Sequence, residues 1–149
     1  MSMRVLSLSI AALLVGALAI AEDAKKEFAV KCLVAGKPDA KEDKNAEYKG
    51  AKVYFCCDNC KGKFNEDKAK FAIPANIQLV STKQFTQVKC PISGAKVAAD
   101  QSSEVAGVKV SFCCENCKGK VDAAEGDAKK ELVFKDAAFD KAFEIAKKK

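Results

Sequence analysis

The stretch FCCDNCKGK at positions 55–63 returns as FCCENCKGK at 112–120, identical except for Asp58 against Glu115. A chain that keeps a three-cysteine cluster this constant has to bring each set of thiols to one point, which limits its fold more than any other feature. The repeat reaches upstream as well. Val30-Lys31-Cys32 matches Val88-Lys89-Cys90, Gly36 matches Gly94, Gly50 matches Gly107, and Lys52-Val53 matches Lys109-Val110. The eight cysteines therefore divide four and four between two copies of one unit. The modules are placed at 25–71 and 83–143, with 72–82 as a connector around Pro74.

Both copies share a local grammar. The lone cysteine is followed by a turn region, Ala35-Gly36-Lys37-Pro38 or Pro91-Ile92-Ser93-Gly94. In each copy a charged loop is expected next, and in the first Tyr48-Lys49-Gly50 then leads into Ala51, Val53 and Phe55 on one side with Lys52 and Tyr54 on the other. Val108, Val110 and Phe112 repeat that alternation, which after a glycine turn predicts a short β-hairpin with its apolar face inward. Past Cys60, Phe64, Lys68, Ala69 and Phe71 suit a short helix. In the second copy Val121 replaces Phe64, and Gly126 interrupts the corresponding helix. Phe139, Ala142, Phe143 and Ala146 have the spacing of a C-terminal helix packed on the second module.

Modules of about 50 residues rarely hold together on a core alone and take disulfides or a metal as staples. The cluster spacing permits two ligand choices: Cys56 with Cys60 (and Cys113 with Cys117), or the Cys57-x2-Cys60 knuckle (and Cys114-x2-Cys117), each closed by the distant Cys32 or Cys90. Thiolates at a helix start are favoured by its unpaired N–H groups, and Lys61, Lys63, Lys118 and Lys120 would offset their charge. With no histidine in the chain, such a site is thiolate-based and selects zinc, copper or a heavier soft ion. An even cysteine count in a small exported domain also fits a disulfide framework. Adjacent cysteines, however, bond each other only with strain, and the tight trio is better explained by convergence on one ion. A Cys57-x2-Cys60 redox pair is the third use, without the βαβ context expected of it. The residues offer no catalytic constellation: there is no His, no phosphate-binding Gly loop and no nucleophile elbow. The chain reads as non-enzymatic.

Arg4, the uncharged run 5–21 and Ala19-Ile20-Ala21 follow the layout of a secretory signal peptide over 1–21. The run falls short of the roughly 20 residues that span a bilayer, so the expectation is an exported chain, periplasmic or secreted, with no stable membrane span after cleavage. The net charge of +6 comes mostly from lysines interspersed with acids. That mixing, with no Trp and two Tyr, argues against nucleic acid as a partner.

Tyr48-x-Gly50-x-Lys52-x-Tyr54-Phe55-Cys56-Cys57-Asp58-Asn59-Cys60-Lys61-x-Lys63-Phe64, with Cys32 upstream, resembles the YHS/TRASH family of small metal-binding domains. Cys90-Pro91-Ile92-Ser93-Gly94 with Phe112-Cys113-Cys114-Glu115-Asn116-Cys117 is similar to the same family. The resemblance implies an α+β fold of two small treble-clef-like modules, each a loop cysteine, a β-hairpin and a short helix. Its three-cysteine pattern falls on Cys32, Cys56 and Cys60 and on Cys90, Cys113 and Cys117. Members often lack a cysteine where Cys57 and Cys114 stand, leaving these as fourth ligands or spare thiols. The family's occurrence in metal sensors and metal-transporting ATPases implies metal binding, buffering or delivery, about one ion per module, with a metal transporter or other metal-handling protein as partner.

Overall fold

The structure, a computed structural model, describes residues 29–147; the expected signal peptide and the first residues of the first module lie outside the described residues. The architecture is mixed α+β, two small modules plus a C-terminal helix. In the first module β1 (Lys41–Tyr48) pairs antiparallel with β2 (Ala51–Phe55), and α1 (Asp58–Glu66) follows. The second repeats this with β4 (Ser102–Val105), β5 (Val108–Ser111) and α3 (Glu115–Asp122).

The hairpin turns explain their own sequence. Lys49-Gly50 and Ala106-Gly107 both have positive φ at each residue (51° and 77°, 54° and 77°). Two successive positive φ values give the turn whose twist matches that of paired strands. Val53, Phe55, Val110 and Phe112 are fully buried, as the alternation predicts. The segments read as charged loops instead supply strands β1 and β4, because each tight turn folds its segment back onto β2 or β5 despite a polar composition.

Two-stranded hairpins are marginal alone, and the remaining elements supply what they lack. The segment read as a connector contains helix α2 (Ala72–Ser81), with Ala72, Ala75, Asn76, Gln78 and Leu79 buried. Pro74 is tolerated because it lies in the first turn, where N–H groups have no intrahelical partner. Accordingly α1 stops at Glu66, and Lys68, Ala69 and Phe71 lie in the turn between the helices. After α3, Gly126 (φ +55°) opens α4 (Gly126–Phe134), and α5 (Asp136–Ala142) follows. The C-terminal helix is shorter than its spacing predicts. It ends at Ala142, and Phe143–Ile145 forms β6, antiparallel to β3 (Phe85–Gln87). Phe143 keeps its buried place, stacked on Phe139 at 4.9 Å between centroids, while the backbone pairs with β3.

One continuous core results, running from Cys32, Phe55 and Phe64 through Leu79 and Phe139 to Phe112 and Val121. Among the described residues no helix is long and apolar enough to cross a membrane.

Candidate metal centres

Each lone cysteine sits on a tight turn. Gly36 N–H donates to the Cys32 carbonyl and Gly94 N–H to the Cys90 carbonyl, both at 2.7 Å. Both glycines are left-handed (φ +73° and +76°), a conformation that costs other residues about 1–2 kcal/mol. Cys56 immediately follows β2, and Cys113 lies two residues past the end of β5. Cys57 and Cys114 are the N-caps of α1 and α3 in extended conformation, and Cys60 and Cys117 lie in the first helical turn.

The sequence elements thus converge. The sulfurs of Cys32, Cys56 and Cys60 all lie within 4.8 Å of one another, and so do those of Cys90, Cys113 and Cys117. Cys56 Sγ is 3.6 Å from Cys60 Sγ, and Cys113 Sγ is 3.6 Å from Cys117 Sγ. Tetrahedral zinc with 2.3 Å bonds sets its sulfurs about 3.8 Å apart, so each triad fits a thiophilic ion with little contraction. Cys57 and Cys114 stand outside these triads. They are exposed, but their sulfurs are 3.7 and 3.6 Å from Cys56 and Cys113. Each centre is therefore three convergent thiols with a fourth at the rim. All eight cysteines are free thiols.

Burial grades the centres from inside out. Cys32, Cys60, Cys90 and Cys117 are buried, and Cys56 and Cys113 are partly exposed. Burial, then the thiols of Cys56, Cys57 and Cys32, pushes Cys60 up to about 12. Burial, then Cys113 and Cys114, does the same to Cys117. At Cys32 burial opposes ionisation, yet the backbone groups of Ala35, Cys56 and Val34 outweigh it and lower the pKa. At Cys90 burial is likewise overcome, by the Ser93 hydroxyl and then the backbone of Ser93, Cys113 and Ile92, down to about 7. Within each triad it is thus the loop thiol whose pKa is lowered. An ion has to displace the proton of Cys60 or Cys117, so binding releases protons.

The centres are not identical. Ser93 Oγ lies 3.1 Å from Cys113 Sγ, whereas the repeat puts Ala35 at the corresponding place in the first module. Nearby charges are partly committed to ion pairs: Lys44 Nζ meets Asp58 at 2.8 Å and Lys118 Nζ meets Asp122 at 2.6 Å.

Two residues that the sequence reading overlooked, Gln78 and Gln87, lie against both cysteine-bearing segments of their modules. The Gln78 amide bonds the backbone at Lys31 and Tyr54, and the Gln87 amide bonds it at Lys89 and Ser111. Neither residue belongs to the repeated motif, so the alignment of the two copies carries no sign of them. No family model matches the chain, and no curated protein or solved structure shows a match to it.

Proposed function

We propose that this chain is an exported, non-enzymatic protein of YHS/TRASH type that binds one soft metal ion per module and scavenges, buffers or delivers it. Zinc or copper is the expected ion, held by Cys32, Cys56 and Cys60 in one module and by Cys90, Cys113 and Cys117 in the other. The observation that carries this reading is the meeting of three sulfurs within 4.8 Å, twice, from a loop, a strand end and a helix start. A three-thiolate centre leaves a coordination position for an exchanging ligand, which suits transfer better than a closed structural cage. Export rests on the layout of residues 1–21, and a metal-handling partner on the resemblance of the clusters.

The redox reading draws on one feature, the exposed helix-cap thiol. Cys57 is made acidic by the backbone N–H of Cys60 and then by the Cys56 and Cys60 thiols, and Cys114 by the matching groups. It leaves the third convergent thiol, Cys32 or Cys90, without a task.

Mass spectrometry of the chain purified from its exported location, native and then denatured, with metal analysis of the same sample, tests the proposal. The expected result is about two ions per chain and eight free thiols on denaturation. A metal-free chain lighter by two hydrogens for each cysteine pair would overturn it in favour of a disulfide framework.

A further inference from the structure

Gln78 and Gln87 make the same three hydrogen bonds to equivalent groups. Gln78 Nε2 donates to the carbonyls of Lys31 (2.9 Å) and Tyr54 (3.0 Å), and Tyr54 N–H donates to Gln78 Oε1 at 2.6 Å. Gln87 Nε2 donates to the carbonyls of Lys89 (2.9 Å) and Ser111 (2.6 Å), and Ser111 N–H donates to Gln87 Oε1 at 2.8 Å. Lys31 and Lys89 immediately precede the lone cysteines. Tyr54 and Ser111 stand two residues before Cys56 and Cys113.

The two glutamines are not related by the repeat. Gln87-Val88-Lys89-Cys90 aligns with Ala29-Val30-Lys31-Cys32. Alanine cannot make these bonds, and in the first module the amide arrives from α2, the helix between the modules. The same three-bond clamp is thus reached from two unrelated places in the chain, which chance packing of side-chain amides does not explain. A side-chain amide has one acceptor and two donors, the set needed to take up one residue's N–H and C=O and still hold a neighbouring segment.

We infer that Gln78 and Gln87 are the positioning residues of the two thiol triads, each fixing the loop that carries the lone cysteine against the strand that leads into the cysteine pair. The three sulfurs are thereby brought together before an ion arrives. The inference rests on the metal-binding reading and adds that each triad has its own clamp, so the two can be loosened separately. Groups that orient ligands in this way typically change metal affinity by about ten- to a hundredfold when removed.

The test uses the full chain, reduced, with Zn2+ as the probe. Zinc-dependent protection of each cysteine from alkylation is read by peptide mass spectrometry across a zinc titration. Gln78→Ala is expected to shift protection of Cys32, Cys56 and Cys60 to about ten- to a hundredfold higher zinc and to leave Cys90, Cys113 and Cys117 unchanged. Gln87→Ala is expected to do the reverse. Adding Ala29→Gln to Gln78→Ala puts an amide where the second module has one and is expected to recover most of the lost affinity. Because Gln78 is buried, Gln87→Ala, at a partly exposed position, carries the test if Gln78→Ala does not fold. Equal weakening of both triads, or no shift in the affected triad, would overturn the inference while leaving metal binding intact. A wild-type chain in which zinc protects no thiol would instead remove the metal-binding reading, and the inference with it.

Discussion

Cys57 and Cys114 have nearly the same backbone shape, φ −159° and −161° with ψ 167° and 166°, and that shape turns an otherwise equivalent thiol out of each triad. Spacing alone could not make this choice, because Cys-x2-Cys and Cys-x3-Cys are both workable metal arrangements. What decides it is that the N-cap residue is extended while its successor begins the helix, so Cys57 is exposed and Cys56, at the end of the strand, approaches Cys32 and Cys60. The eight cysteines were legible as candidate ligands; the division into six that converge and two at the rim was not. The Cys57→Ser, Cys114→Ser double variant is therefore expected to fold and still bind two zinc ions, with affinity lowered less than about tenfold. Cys56→Ser is expected to bind one. Zinc stoichiometry under reducing conditions checks both, and loss of an ion in the double variant would mean closed four-thiolate sites.

Among the elements, the strands with buried alternation (β2 and β5) and the helices that follow the clusters were readable, because their apolar residues and cysteines impose a period. β1 was hidden, since its pairing is dictated by the turn and its side chains are mostly charged. The left-handed turn position held by Ala106 (φ 54°) has no short polar side chain to relieve it. Asn is the residue that best tolerates this conformation, so Ala106→Asn is expected to raise stability by about 0.5–1 kcal/mol, measured by urea unfolding. The first turn has a different support. Lys49 Nζ reaches Asp136 at 3.3 Å and Asp140 at 2.5 Å, and Tyr48 OH donates to Asp136 at 3.2 Å. Asn76 Nδ2 donates to the same Asp136 oxygen at 2.9 Å. Burial of Asp136 would raise its pKa, but the Asn76 amide and then Lys49 and Tyr48 hold it below the usual carboxylate range. A carboxylate whose folded pKa is depressed stabilises the fold above its unfolded pKa, and that stability fades as pH falls through the folded value. Asp136→Ala is expected to cost about 1–2 kcal/mol near neutral pH, a hydrogen-bonding estimate kept low because the carboxylate is half exposed. The difference from wild type should vanish in urea titrations carried down through the acid range below pH 4. A pH-independent difference would mean that the carboxylate charge contributes nothing.

At the level of the whole molecule, the repeat was legible and its consequence for packing was not. Two copies of a small motif read naturally as two units on a connector. The connector's apolar residues instead complete a core shared by both: Ala75 and Leu79 of α2 are fully buried, and Asn76 donates to the Phe134 carbonyl of the second module at 2.9 Å. Periodicity within either copy cannot reveal this, since the buried face of α2 belongs to neither repeat. The arrangement has a thermodynamic consequence. If the core is common, neither module has a folded state of its own, and an ion held by one triad stabilises the entire chain. A site at 100 times its dissociation constant adds about 2.7 kcal/mol to the folded state. With the second triad disabled by Cys113→Ser, zinc bound to Cys32, Cys56 and Cys60 is therefore expected to move a single urea transition of the whole chain to higher denaturant. Far-UV circular dichroism and the alkylation of Cys90 in the second module should then give coincident midpoints. Independent modules would show two transitions, with zinc displacing only the one that reports on the first. In that case α2 would be a linker after all, and its buried face would contribute to one module alone.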